Sequence, residues 1–177
     1  MGQGVSNILA FEGTMPKIDP TAFVASTAVV IGDVEIGPGS GIWFHCLVRG
    51  DINYIRIGAR TNIQDGTIMH VAGPHHSGGT PTIVGDDVTV GHQAILHACT
   101  LHDRSFVGMA ATVMDGAVVE SDAMVGAGAL VPPGKRIPSG QLWTGSPARY
   151  RRDLSEAELA EIKASADRYV ELARRYG

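Results

Sequence analysis

An apolar, mostly branched residue recurs at every sixth position over most of this chain. The recurring residues are Val24, Val30, Ile36, Ile42, Val48, then Ile57, Ile63, Met69, then Val84, Val90, Leu96, and finally Leu101, Val107, Val113, Val119, Val125 and Val131. A helix repeats every 3.6 residues and a half-buried strand alternates every two, so neither produces this pattern. A β-sandwich would show strands at irregular spacings of about 8–12 residues. A fixed short period predicts a solenoid.

The six-residue period has a direct structural meaning. Each hexapeptide predicts one short strand and one corner, and three of them make a triangular coil of about 18 residues. The branched residue points into the prism and stacks on its counterpart about 4.8 Å above. The chain has 23 glycines, many of them directly after the apolar residue, where they permit a tight corner. The predicted fold class is therefore an all-β solenoid, a parallel β-helix with about six coils between Val24 and Val131.

The composition of the chain divides it into three parts. Residues 1–20, rich in glycine and proline, predict an irregular lead-in, residues 21–150 the β-helix, and residues 151–177 a C-terminal helix. Within the β-helix the repeat stretches by three residues in VRGDINYIRIG, residues 48–58. Residues 71–83 have no apolar period and predict a loop at a corner.

The C-terminal segment has the pattern of an amphipathic helix over residues 155–176. Ser155 and Glu158 form a capping-box motif at its start. Apolar residues follow at helical spacing from Leu159 to Tyr176. Because the end of a solenoid needs a cap, we expect this helix to pack on the β-helix, and binding of a separate partner is the alternative.

The overall composition excludes several classes of protein. The net charge of -4 and the lack of a basic run argue against a nucleic-acid partner. No stretch approaches the roughly 18 apolar residues that span a bilayer, and the first residues lack the pattern of a signal peptide. Two cysteines do not make a disulfide framework and indicate a reducing compartment. We expect a cytoplasmic protein without membrane contact.

Three histidines have the spacing of a shared metal site. Counting faces places Met69 and Leu96 on one face, one coil apart, so the following residues His70 and His97 should stack and point outward. His92 falls on a different face, where one prism cannot easily bring it to the other two. A neighbouring subunit can do so if the molecules pack around a threefold axis. The sequence therefore predicts a metal site between the subunits of a homotrimer.

Three neutral imidazoles suit Zn²⁺ and also Fe²⁺ or Co²⁺, and they leave a fourth position for water. A metal in such a site lowers the pKa of water towards ~7 and produces hydroxide at neutral pH. Asn62, Gln64 and Asp65 precede His70 and can supply hydrogen bonds from the adjacent hexapeptide. The alternative is that the histidines are ordinary surface or interface residues.

Four segments, VRGDINYIRIG, RTNIQDGTIMH, VGHQAILHA and TGSPAR, together resemble the γ-class carbonic anhydrases and their short bacterial relatives. The similarity covers nearly the whole chain, including the final helix. It implies that the β-helix is left-handed. Connections between parallel strands are usually right-handed, so the handedness comes from the resemblance and not from the spacing. It also implies a trimer with metal sites at its interfaces and, as the reaction, the reversible hydration of CO2 to bicarbonate.

The resemblance also assigns roles to individual positions. The residues that match the family are the metal ligands His70, His92 and His97, the subunit-bridging pair Arg49 and Asp51, and the catalytic residues Gln64 and Asn62, which would orient hydroxide and substrate.

The chain departs from the family where active members carry two glutamates for proton transfer. The first position is Ile52, and the loop 71–83 has no acidic residue. This loop instead carries His75 and His76, and an unperturbed histidine titrates near ~6.5, in the range of a proton shuttle. We hypothesise that one of them relays the proton. Two solvated loop histidines are the alternative.

Two other functions stay open on the sequence. A hexapeptide acyltransferase or thioesterase acting on coenzyme A esters would use one histidine as a general base and need no metal. A metal-binding assembly protein without catalysis is the second.

Overall fold

The computed structural model describes residues 7–75 and 79–176, and it is a left-handed parallel β-helix with one C-terminal helix. The elements in chain order are β1 (Ile8–Leu9), β2 (Lys17–Ile18), β3 (Phe23–Val24), β4 (Val29–Ile36), β5 (Gly41–Ile42), β6 (Leu47–Ile57), β7 (Asn62–Ile63), β8 (Ile68–His70), β9 (Thr82–Val84), β10 (Thr89–Val90), β11 (Ile95–His97), β12 (Thr100–Leu101), β13 (Phe106–Val107), β14 (Thr112–Val113), β15 (Val118–Val119), β16 (Met124–Val125), β17 (Leu130–Val131), β18 (Arg136–Ile137), β19 (Gln141–Thr144), β20 (Arg149–Asp153) and α1 (Glu156–Arg174).

The strands stack into the three faces of a prism. The first face has the order β3-β5-β7-β10-β13-β16-β19, the second contains β8-β11-β14-β17, and the third contains β9-β12-β15-β18. β4 and β6 are long because each turns a corner and contributes to both the second and the third face. Every pairing along these faces is parallel, as stacked coils of one direction require.

The core is the column of apolar residues that the six-residue period predicted. Three sets of its members are fully buried: on the first face Ile42, Ile63, Val90, Val107 and Val125, on the second Val30, Val48, Met69, Leu96 and Val113, and on the third Leu101 and Val119. Ile137, one step beyond the predicted series, is fully buried as well. Each inward residue packs on its register partner one coil away, so burial of these apolar side chains is the main stabilising contribution to the fold.

The interior of the prism is narrow, and the corners bring the backbones of successive coils close together. At Gly91 a side chain would not fit, because an added Cβ would lie 2.6 Å from the backbone nitrogen of Met109 in the next coil. Several corners place a non-glycine residue in the left-handed conformation, among them Gln93 with a φ of 58°. Stacked backbone hydrogen bonds compensate for the unfavourable conformation at such positions.

The predicted irregularities lie where expected. Gly32 pairs with Gly50 and Val34 with Ile55, so residues 51–54 bulge out opposite the single residue 33. The loop after β8 is closed at its base by an antiparallel bridge between Ala72 and Thr80.

The lead-in is more regular than the sequence predicted. Within residues 1–20, β1 and β2 pair in parallel with β4 and form part of a first coil. Two-residue strands among glycines and prolines give no periodic signal, because the backbone of β4 supplies their partners. The solenoid therefore has about seven turns instead of six. At the other end, β20 folds back antiparallel on β19 before the helix begins.

Helix α1 packs along the first face and does not extend away from the β-helix. Its capping box forms as predicted, with the side chain of Ser155 accepting from the backbone N–H of Glu158. Its buried apolar residues are Ile162, Ala166, Val170 and Ala173. In the part of the chain that the structure describes, no helix has both the length and the apolar character to cross a bilayer.

Candidate metal centre

His70 and His97 face each other on the second face of the prism. They end the adjacent strands β8 and β11, and His97 is the register partner of His70, as the count of hexapeptides predicted. The Nδ1 atom of His70 lies 3.3 Å from the Nε2 atom of His97. The buried residues before them, Met69 and Leu96, fix both strands, so the two imidazoles point outward from a rigid wall.

Each of these imidazoles has a carboxylate on its other nitrogen. The Nε2 atom of His70 lies 2.9 Å from the Oδ1 atom of Asp51, and the Nδ1 atom of His97 lies 3.1 Å from the Oδ2 atom of Asp115. An ionised carboxylate only accepts, so these outer nitrogens carry the hydrogens. In neutral imidazoles the two facing nitrogens are then both lone-pair acceptors.

Two acceptors at 3.3 Å repel each other unless a cation lies between them. Two nitrogens that bind one tetrahedral zinc ion at 2.0–2.1 Å are separated by about 3.3–3.4 Å. The spacing and the orientation of His70 and His97 therefore fit two ligands of one divalent metal ion. Their carboxylate partners match the outer hydrogen bonds that orient metal-binding histidines.

Asp51 joins this centre to Arg49, which forms a salt bridge with it within one chain. Burial alone raises the pKa of the Asp51 carboxyl, but hydrogen bonds from His70, the backbone N–H of Ile52 and Arg49 outweigh it. The pKa of Asp51 consequently lies below its ordinary value, and the group is a carboxylate at neutral pH. That the Arg49–Asp51 pair bridges two subunits stays a prediction.

His92 lies apart from the pair, at the corner after β10. Its Nδ1 atom lies 2.7 Å from the Oδ2 atom of Asp65, and its side chain is 42% exposed. Asp65 also accepts from the backbone N–H of Phe44 in the coil below, which fixes the carboxylate. His92 thus resembles the other two histidines in having one nitrogen on an acid and the other one available.

Among residues 7–75 and 79–176, no group of three histidine, cysteine or acidic side chains is close enough to hold a metal ion. One chain brings His70 and His97 together and presents His92 elsewhere, in agreement with the face count. Two surface cavities of about 700 and 760 Å³ are lined by other residues. Within the described part of one chain, the three histidines therefore do not form a complete set.

The predicted catalytic amides lie on the first face, below α1. Nε2 of Gln64 donates to Oδ1 of Asn62 over 3.0 Å, and Nδ2 of Asn62 donates to Oγ1 of Thr89 over 2.9 Å. Gln64 is 6% exposed and precedes Asp65, the partner of His92. Gln64 is therefore the chain neighbour of the carboxylate that contacts His92, and Asn62 lies in the strand before it.

The loop with the predicted proton relay is only partly described. His75 is exposed in a turn, whereas His76 lies outside the described residues. The side chain of Ile52, which replaces the family's glutamate, packs on Gly73, where an added Cβ would lie 3.0 Å from its Cδ1 atom. The amide of Asn53 donates to the carbonyl of Ala72 over 3.1 Å. The bulge at 51–54 thus anchors the base of this loop through apolar and backbone contacts.

Asp115 was missed by the reasoning from sequence. It follows His97 by 18 residues, one full coil, so the same count that paired the histidines could have found it. The links from Asn62 to Thr89 and onward to the helix gave no such signal, because the docking position of α1 is not periodic.

Comparison with known proteins identifies the family. No protein-family model matches the chain. It is 53% identical over 162 residues to the mitochondrial γ carbonic anhydrase 1 of Arabidopsis thaliana, covering 91% of this chain and 59% of that protein. The chain thus spans about three fifths of the length of this relative. It is 43% identical over 169 residues to a carbonic anhydrase of Geobacillus kaustophilus, covering 96% of this chain and 90% of that protein.

Among solved structures, a hexapeptide transferase family protein from Anaplasma phagocytophilum superposes with a TM-score of 0.90 at 43% identity. The match covers 96% of this chain and 98% of that one. The similarity to the Geobacillus carbonic anhydrase covers nearly all of both proteins, and the chain belongs to the γ-class carbonic anhydrase family.

Proposed function

We propose that this protein is a γ-type carbonic anhydrase, which hydrates CO2 reversibly to bicarbonate at metal centres shared between the subunits of a homotrimer. The observation that carries the proposal is the 3.3 Å separation of the facing nitrogens of His70 and His97, each with its other nitrogen on a carboxylate.

The proposed ligands are His70 and His97 of one subunit and His92 of a second copy. When bound, a divalent ion such as Zn²⁺, Fe²⁺ or Co²⁺ supplies the positive charge that lowers the pKa of water and makes it a nucleophile at neutral pH. The protein's own contribution is orientation. Asp51, Asp115 and Asp65 each keep a hydrogen on the outer nitrogen of one imidazole and leave the other nitrogen as a lone pair.

Gln64 and Asn62 are the proposed catalytic residues for positioning the water and CO2. Their carboxamides are buried and hydrogen-bonded to each other, so their polar atoms hold fixed directions. A pre-oriented acceptor that takes a hydrogen bond from the nucleophile reduces the entropy lost in reaching the reactive geometry.

Proton release to buffer is the remaining step, and we assign it to His75 or His76. His75 is exposed and lies in the loop that follows His70. The double change His75→Ala and His76→Ala should lower activity in dilute buffer, with recovery in concentrated imidazole. Unchanged activity in dilute buffer would show that these histidines only face solvent.

The central experiment combines metal analysis with a CO2 hydration assay on the metal-loaded protein. We expect about one ion per chain, as for other three-histidine centres, with loss of both metal and hydration in His97→Ala. His102→Ala is the matched control, since it removes an exposed histidine at another corner of the solenoid. Light scattering should give a trimer, and a monomer that retains its metal would contradict the shared site.

A second candidate function is acyl transfer or thioester hydrolysis on coenzyme A esters. The similarity to the Anaplasma hexapeptide transferase family protein, at a TM-score of 0.90, supports testing it. Metal-free protein that transfers acetyl groups from coenzyme A would favour this function over hydration. Metal-loaded protein with neither activity would favour a metal-binding assembly role.

A further inference from the structure

Four buried side chains form a continuous hydrogen-bonded chain between the corner of His92 and helix α1. Gln64 donates to Asn62, Asn62 donates to Oγ1 of Thr89, and Thr89 donates to Oγ of Ser165 over 3.1 Å. None of the four is more than 6% exposed. The C-terminal helix is thereby connected to the predicted catalytic amides as well as covering the first face.

One backbone group and one hydroxyl together favour a single direction for this hydrogen-bonded chain. Nδ2 of Asn62 also lies 3.4 Å from the carbonyl oxygen of Val88, which can only accept a hydrogen bond. With Nδ2 facing Val88 and Thr89, the Oδ1 atom faces Gln64. Gln64 then has to donate through Nε2, and its Oε1 atom turns away from Asn62.

The hydroxyl of Thr89 holds this direction in place. It accepts from Asn62, so its single hydrogen must go to another acceptor, and Oγ of Ser165 is that acceptor. Ser165 in turn is held by its place in α1, between the buried residues Ile162 and Ala166. No hydrogen bond to Oε1 of Gln64 is found among the described residues, so this oxygen is the acceptor at the end of the hydrogen-bonded series.

We propose that Ser165 and Thr89 are positioning residues that fix the carboxamide of Gln64 with Oε1 presented as a hydrogen-bond acceptor. On the proposed function, its donor is the nucleophilic water of CO2 hydration. Removing the hydroxyl of Ser165 leaves the Thr89 hydrogen without its acceptor. A rotated Asn62 amide then accepts from Thr89 and gives up its 3.4 Å contact with the carbonyl of Val88. The two amide orientations compete, and in the reversed one Gln64 presents Nε2, a donor.

The experiment compares variants that remove one of the four hydrogen-bonding groups with a variant that only weakens the packing of the helix. Ser165→Ala and Thr89→Val remove a hydroxyl, and Ser165→Thr restores one. Asp167→Asn is the matched control, because Asp167 is the ion-pair partner of Arg60 and joins the same helix to the prism outside the four hydrogen-bonded side chains. Side-chain amide resonances of isotope-labelled full-length protein report the orientation of Asn62 and Gln64, and steady-state kinetics give kcat and KM for CO2.

We expect Ser165→Ala and Thr89→Val to shift and broaden the Gln64 amide resonances and to lower kcat/KM roughly 10-fold, the lower end of effects seen for outer orienting partners. Ser165→Thr should recover most of the loss, and Asp167→Asn should keep the wild-type Gln64 resonances. The inference is overturned if Ser165→Ala leaves those resonances unchanged, or if Asp167→Asn shifts them equally. Shifted resonances in a protein without CO2 hydration would uphold the positioning role and reject the proposed function.

Discussion

Asp51 and Asp115 each contact the outer nitrogen of one proposed metal ligand. Removing either carboxylate should lower the affinity for metal, and the more buried pair should lose more. Loss of an outer partner of a metal-binding histidine costs about 10–100-fold in metal affinity, equivalent to about 1.4–2.7 kcal/mol. The side chains of His70 and Asp51 are 18% and 13% exposed, whereas those of His97 and Asp115 are 36% and 41% exposed. Because solvent screens exposed pairs, Asp51→Ala should fall near the upper end of that range and Asp115→Ala near the lower end.

The Asp51 variant has a second effect that adds in the same direction. Arg49 loses its carboxylate, and its positive charge then lies unopposed beside the site of a divalent cation. Both contributions predict that Asp51→Ala releases metal more readily than Asp115→Ala does.

Metal affinity can be measured by competition with a chromogenic chelator at fixed pH, with a folded-state check by circular dichroism. Asp103→Asn is the control, since it removes one acidic charge but keeps an acceptor for the backbone N–H of Asp86, the described partner of Asp103. An affinity of Asp51→Ala equal to that of Asp103→Asn would refute the role of these carboxylates, and a reversed order of Asp51 and Asp115 would refute the burial argument.

Two further predictions concern buried groups. Burial raises the pKa of Cys46 to about 11 and that of Cys99 to about 12, so both thiols stay protonated below that range and should resist alkylation at pH 8 in folded protein. Rapid reaction of either thiol, followed by mass spectrometry, would contradict this, and denatured protein should react at both. Leu96 is fully buried in the prism. Leu96→Ala should therefore lower the free energy of unfolding by about 2–5 kcal/mol, as measured by denaturant titration. A loss below about 1 kcal/mol would show that neighbouring side chains move in to fill the space left by the leucine.

The architecture and the pairing of His70 with His97 could be predicted from the sequence alone. With the loop at 71–83 counted as a corner insertion, the six-residue period places Met69 and Leu96 on the same face, one coil apart. The pairing of His70 with His97 follows from that register. The bulge at 51–54, the corner loop and the helix cap were predictable for the same reason. Each is a local departure from, or end of, a regular pattern.

Tertiary structure decided the features that periodicity does not carry. The partners of the imidazoles depend on where neighbouring coils place their corners, and the short strands of the lead-in depend on the backbone of β4. The hydrogen bond from Thr89 to Ser165 joins residues 76 positions apart. It forms because α1 packs on the first face with Ser165 beside the coil that contains Thr89. A helix can slide along a prism without changing its own pattern, so its register against the coils is set by side-chain packing and hydrogen bonding, which only the folded chain brings together.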